Sequence, residues 1–249
     1  MAEMNSFWTT LPGILTGIGS VIVALTGLYI ALKRGHKDAI SQGVQPASPP
    51  LAKTKAPSPP AWPIIAEVTF TNEPLDWSTG SFPTEKTPRF DLRVVDGKYR
   101  WDIEYSNKWH RWVMSPFGSA VNFNVAVDMK LTEFTPEISV TLIFGSTGNE
   151  QYQLIISSNR YFGLSKSHAD NTQMIIDWTP ITVKFEPNVW NRMGVMVDEQ
   201  LIRFYLNSEL LGEYRDIGFT GGKVGFGVEM YQQGSAVIDF DNFQFRRKP

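Results

Sequence analysis

Val121-Asn122-Phe123-Asn124-Val125-Ala126-Val127-Asp128-Met129-Lys130-Leu131 alternates apolar and polar or small residues without a break. A period of two sends successive side chains to opposite faces of an extended strand, so this stretch is expected to form one strand with Val121 through Leu131 burying every second residue. The alternation recurs upstream in Tyr99-Trp101-Ile103-Tyr105. Downstream it returns in Ile138-Val140-Leu142-Phe144, Tyr152-Leu154-Ile156, Ile181-Val183-Phe185, Met193-Val195-Val197, Ile202-Phe204-Leu206, Val224-Phe226-Val228-Met230 and Ile238-Phe240. Between these runs lie turn formers: Asp96-Gly97, Ser146-Thr147-Gly148-Asn149, Asp198-Glu199-Gln200, Asn207-Ser208, Gly221-Gly222 and Gln233-Gly234. Roughly nine strands or more, with no helical periodicity to cover a sheet, must bury their apolar faces against each other. The expected fold over residues 64–249 is therefore all-β, a two-sheet antiparallel jelly-roll sandwich.

Upstream of the sandwich the chain changes character twice. From Met4 to Leu32 no residue is charged, and the run ends in Lys33-Arg34-Gly35-His36-Lys37. As a helix, Leu11 to Leu32 would reach about 33 Å, enough to cross a hydrocarbon core of about 30 Å. A cleaved secretory signal would need a basic leader, a shorter apolar run and a small-x-small site, none of which is clear here. Residues 1–10 are thus expected as a short tail and 11–32 as a single transmembrane helix. Lys33, Arg34 and Lys37 follow the span and no basic side chain precedes it, which places the carboxy-terminal domain on the cytoplasmic side. Gly13, Gly17, Ser20, Ala24 and Gly27 line one helix face with small residues, a surface suited to a homo-oligomer through the span. Residues 33–63 form the basic flank and a linker rich in proline, including Pro46, Pro49, Pro50, Pro57, Pro59, Pro60 and Pro63. Such a segment cannot keep a helical hydrogen-bond ladder and serves as an extended spacer.

Composition narrows the function. With 23 basic and 25 acidic residues the formal net charge is -2, which gives no general attraction to nucleic acid. The chain has no cysteine, so disulfides, thiolate metal sites and cysteine nucleophiles are absent. His36, His110 and His168 fall at no metal-ligand spacing.

The order of several motifs resembles a known family. Tyr152 to Ile156, Tyr161-Phe162-Gly163-Leu164, Trp178 to Ile181 and Trp190-Asn191-Arg192-Met193-Gly194-Val195 are followed by Ile202 to Asn207, Asp216, Phe219, Gly222 to Phe226 and Phe240-Asp241-Asn242-Phe243. Phe70 through Trp77 and Asp96 to Tyr99 complete the train. The succession resembles the bacterial concanavalin A-like lectin/glucanase domains, relatives of laminin G modules. The resemblance implies the sandwich, and it implies no single activity, because such domains include sugar binders, glycosidases and adhesion modules.

Each chemistry can be weighed on its own residues. Retaining hydrolysis needs two carboxylates about 5 to 5.5 Å apart. Glucanases of the resembled family take them from a Glu-x-Asp-x-Glu strand, which does not occur here, so no catalytic residue is expected. Asp239, Asp241 and Asn242 are the candidates for calcium, a hard ion that takes six to eight oxygens. Sugar recognition needs exposed aromatic faces beside amides and carboxylates. Trp109, His110 and Trp112 sit in a polar stretch, Ser106 to Ser115, where alternation breaks down and a loop is expected, and Tyr231 with Gln232 forms a second candidate. Trp77, Trp101, Trp178 and Trp190 are expected in packing. The balance favours a membrane-tethered, non-catalytic binding module for a glycan or protein ligand. The alternative is an oligomerising membrane scaffold or effector subunit with the sandwich as its sensor or assembly domain.

Overall fold

The computed structural model describes residues 62–249 apart from 72–76, 86, 107, 136 and 170. The expected span 11–32, with its face of Gly13, Gly17, Ser20, Ala24 and Gly27, and most of the linker lie outside the described residues. The rest is all-β. In chain order the strands are β1 (Ile64–Val68), β2 (Gly80–Ser81), β3 (Arg89–Val95), β4 (Lys98–Tyr105) and β5 (Trp109–Ala120). Then come β6 (Phe123–Thr135), β7 (Ile138–Ser146), β8 (Glu150–Ser157), β9 (Tyr161–His168) and β10 (Asn171–Pro180). The last five are β11 (Asn191–Asp198), β12 (Leu201–Leu206), β13 (Glu209–Arg215), β14 (Gly222–Met230) and β15 (Gly234–Arg247).

These strands build two antiparallel sheets. One has nine strands in the order β13-β12-β11-β6-β15-β4-β3-β2, with β1 also paired to β15. The other has six, in the order β10-β9-β8-β7-β14-β5. Non-consecutive neighbours such as β6 beside β15, and β7 beside β14 beside β5, give the sandwich its jelly-roll-like crossovers. The inward residues of both sheets form one core in which Trp101, Tyr99, Phe226 and Phe240 have almost no exposure. Phe226 and Phe240 reach across from opposite sheets with ring centroids 4.4 Å apart, and Trp77 stacks on Phe226 at 5.1 Å. Offset aromatic pairs of this kind add about 0.5–1.5 kcal/mol each beyond their buried area.

Turn chemistry follows the sequence closely. Asp96 (φ 52) and Gly97 (φ 69) close the β3–β4 hairpin, and Asn207 (φ 53) with Ser208 (φ 68) closes β12–β13. Two successive positive φ values match the right-handed twist of a tight hairpin.

Three expectations are corrected. Val121 does not start a buried strand: it is half exposed in the turn before β6, which begins at Phe123. Ile181, Val183 and Phe185 are buried, yet they belong to no strand. Pro180 and Pro187 flank that segment, and a missing N–H cannot join a ladder. Side-chain amides hold it instead: Asn191 Nδ2 donates to the Glu186 and Val189 carbonyls at 2.7 and 2.8 Å, and Asn207 Nδ2 to the Lys184 carbonyl at 2.8 Å. Finally, the expected loop at Ser106 to Ser115 is largely strand, since β5 starts at Trp109. Its alternation is hidden because Trp112 and Met114 place apolar groups on the outward face while Arg111 occupies an inward register beside Val228.

Candidate functional site

A strand with one solvated face shows alternate burial, and β7 does not. Ile138, Val140, Leu142 and Phe144 enter the core, while Ser139, Thr141 and Ile143 point the other way and are still buried. The same holds next door. Gln153, Ile155 and Ser157 on β8 and Ser165 and Ser167 on β9 face away from the core with little exposure. Successive side chains alternate faces, so the outer face of the six-stranded sheet is itself a sheltered trough.

Two glycines keep its floor low. Gly227 on β14 lies in register with Trp112 on one side and Thr141 on the other. A Cβ there would stand 2.8 Å from the Trp112 Cβ and would collide with the Arg111 carbonyl oxygen. Gly163 on β9 plays the corresponding part under β10. Its missing Cβ would lie 2.5 Å from the Met174 methyl and 3.7 Å from the Trp178 ring, so those two side chains cross the strand above it. The trough thus has an aromatic at each margin: Trp112, half-buried, on β5, and Trp178, 42% exposed, on β10. Five strand spacings separate those two strands, roughly 24 Å.

Within the trough a cavity of about 340 Å³ is lined by His110, Trp112, Gln151, Gln153, Thr172 and Glu229, among others. Glu229 is level with Ser139 and Ser157, six residues along β8 from Gln151, so the polar lining extends over roughly 20 Å. His110 stacks parallel to Trp112, with centroids 5.1 Å apart at 4°. Glu229 sits opposite His110 in register. The Tyr231 hydroxyl donates to Glu229 Oε2 at 3.0 Å and lies 3.2 Å from Ser139 Oγ. Burial first, then the Glu229 charge, pushes the Tyr231 phenol above its usual range, so it stays a donor. Ser165 Oγ has no hydrogen-bond partner although its residue is 1% exposed. An unpaired buried hydroxyl costs about 1–3 kcal/mol, and this one lies on the outward side of β9, level with Met174.

The structure divides the residues expected to contact ligand. Trp109 turns inward and packs edge-on against Phe90 at 5.0 Å, away from His110 and Trp112. Tyr231 is half-buried and acts on Glu229, and Gln232 is exposed in the turn between β14 and β15. Trp178 and Trp190, expected in packing, are 42% and 44% exposed, whereas Trp77 and Trp101 are buried as expected. Sequence reasoning passed over Trp178, Gln151, Gln153 and Glu229. Strand alternation with polar Asp177 and Thr179 on either side points Trp178 toward the core, so the sequence carried no signal that it faces water.

The expected calcium ligands lie on the outer face of the other sheet, already paired. Arg100 grips both oxygens of Asp239, Nε to Oδ1 at 2.7 Å and Nη2 to Oδ2 at 2.9 Å, and Thr132 Oγ1 and Lys98 Nζ lie 3.2 and 3.7 Å from Oδ2. Burial acts to raise the Asp239 pKa, but Arg100 and Lys98 outweigh it and hold the carboxyl below its usual range. Asp241 accepts the Asn242 backbone N–H at 2.7 Å, and Asn242 Nδ2 donates to Asp128 at 2.8 Å. Among the described residues no group of three or more His, Asp or Glu is placed to hold a metal ion. A further cleft of about 520 Å³ beside β9, β10 and β13 is lined by Lys166, Met174, Tyr214 and Asp216. Its polar groups satisfy one another: the Tyr152 hydroxyl donates to Asp216, and Lys166 Nζ lies 3.4 Å from the same carboxylate and 4.9 Å from the Tyr152 ring centroid.

No family model matches the sequence, and neither does any curated protein. Solved structures do match. The laminarinase catalytic domain from Thermotoga maritima is 9% identical over 76% of this chain and 99% of its own, with a TM-score of 0.55. A protein of unknown function with a galectin-like fold from Bacillus subtilis is 14% identical over 74% and 96%, with a TM-score of 0.55. The κ-carrageenase from Pseudoalteromonas carrageenovora, solved with an oligotetrasaccharide of κ-carrageenan, is 12% identical over 80% and 98%, with a TM-score of 0.50. At such identities the likeness is one of fold, the jelly roll shared with glycoside hydrolases and galectin-like proteins.

Proposed function

We propose that this chain is a glycan-binding module without hydrolytic activity, tethered to a membrane by residues 11–32 and holding its ligand in the trough of the six-stranded sheet. The observation that carries it is that Trp112, an accessible aromatic, lines one cavity together with the amides of Gln151 and Gln153 and the carboxylate of Glu229. A sugar presents an apolar ring face and a belt of hydroxyls, which suits an indole beside Gln151, Gln153, Thr172 and Glu229. A lining some 20 Å long suits an extended oligomer better than a single sugar. The jelly-roll neighbours include enzymes whose names specify polysaccharides, which agrees with a carbohydrate ligand. Hydrolysis is disfavoured by the spacing of the two carboxylates in the lining: Glu229 is level with Ser157 and Glu150 begins that same strand, roughly 23 Å away along it, whereas glycoside hydrolysis needs its pair about 5 to 9.5 Å apart. The uncharged run from Met4 to Leu32 supports the tether.

The test is affinity electrophoresis of the full-length chain in detergent through gels containing laminarin, κ-carrageenan, xylan or chitin-derived polymers. At least one polysaccharide should retard the protein, and Trp112→Ala should weaken that binding about tenfold or more. Mobility unaffected by every polymer would overturn the glycan ligand, and release of reducing ends would overturn the absence of hydrolysis.

A further inference from the structure

The charges around the trough are unevenly matched. Its lining includes two carboxylates, Glu150 and Glu229, and no Lys or Arg. Glu150 is partly neutralised, with His168 Nδ1 at 3.0 Å and Lys166 Nζ at 4.0 Å. Among the described residues Glu229 has no basic group within ion-pair distance, and its carboxylate accepts from the neutral Tyr231 hydroxyl at 3.0 Å. The exposed imidazole of His110 stands across the strand from it and is stacked on Trp112 instead. In the turn between β6 and β7, Glu137 adds a further negative charge to the field at Tyr231 while it accepts from Ser157 Oγ at 3.1 Å.

From this we infer that the Glu229 end of the trough is a subsite for a positively charged sugar unit, the ammonium of an unacetylated amino sugar. The inference rests on the trough being the glycan site. An unpaired carboxylate beside an indole offers an ammonium group both a charge-assisted hydrogen bond and a cation–π contact. Tyr231 fixes the carboxylate by occupying one oxygen and leaves the other for the ligand. The same charges repel sulfated or uronic-acid chains, which would bring like charge against Glu229.

The experiment compares a glucosamine oligomer, its fully N-acetylated counterpart of the same length, and a κ-carrageenan oligomer. Each is titrated by calorimetry against the full-length chain and its Glu229→Gln variant, at a pH where the free amines are protonated. The free-amine oligomer should bind roughly tenfold tighter than the acetylated one, and the carrageenan oligomer should bind weakest. Glu229→Gln keeps an acceptor for Tyr231, so it should erase the preference for the amine by lowering the free-amine oligomer's affinity about tenfold, to that of the acetylated one measured on the same variant. Equal affinities for the two chitin-type oligomers, or a preference that survives Glu229→Gln, would overturn the inference while the trough remains a glycan site. Binding of neither these oligomers nor any neutral polysaccharide would overturn both.

Discussion

The two outer faces of the sandwich use their polar groups differently. On the nine-stranded sheet they are paired to each other: Arg100 with Asp239, Arg192 with Asp128, and Arg93 with Asp102. On the six-stranded sheet the outward residues are mostly uncharged, with Ser, Thr, Gln, Gly and Ile buried on the floor and Trp112 and Trp178 at the margins. The first face spends its polar capacity on folding. The second is built chiefly of uncharged side chains on a buried floor.

The contrast can be broken from the folding side, where effects are largest. Asp239→Ala removes the nearly buried carboxylate from the partly exposed Arg100 clamp and should lower unfolding free energy by about 2 kcal/mol, read by urea denaturation, with glycan binding intact below the transition. pH gives a second view of the same pair. The folded pKa of Asp239 is depressed, so the stabilisation is fully present above the unfolded carboxyl value of about 4 and is lost as pH falls through the lower folded value. Asp239→Asn should flatten that acid limb of the stability profile, and an unchanged slope would mean that the pair contributes nothing. Gly227→Ala belongs to both accounts. Its Cβ meets backbone as well as the base of Trp112, so it should cost about 1–3 kcal/mol and also displace the indole from the trough. The finest test separates neighbours on β5. Trp109→Ala opens a gap against Phe90 and should lose about 2 kcal/mol without altering ligand selectivity, whereas Trp112→Ala should change stability by less than about 1 kcal/mol and weaken binding.

Much of the fold was legible because one inward face per strand leaves a period-two trace. β6, β11, β12 and β14 show it plainly, and the Asp96-Gly97 and Asn207-Ser208 turns fix where the chain reverses. The trace misled where its premise failed. Ile181 to Phe185 alternate because a loop can lay every second side chain on the core without pairing its backbone. β5 hid because it carries bulky groups on both faces, a pattern that belongs to a strand with a covered outer surface. The trough was less legible for the same reason. Its members come from β5, β8, β10 and β14, far apart in sequence, and its mark is small residues where bulk would close it. Gly163 and Gly227 read as ordinary strand glycines until their neighbours, Trp178 and Trp112, are in place.

The claim at the centre is that the ligand lies on the outer face of the six-stranded sheet. Its most direct measurement is the set of tryptophan indole N–H resonances, assigned by single Trp→Phe substitutions, during titration with an oligosaccharide of the polymer that retards the protein. Shifts should appear at Trp112 and Trp178, with Trp77 and Trp101, buried in the core, unmoved. Saturable binding that left both Trp112 and Trp178 unperturbed would place the ligand elsewhere and contradict the account.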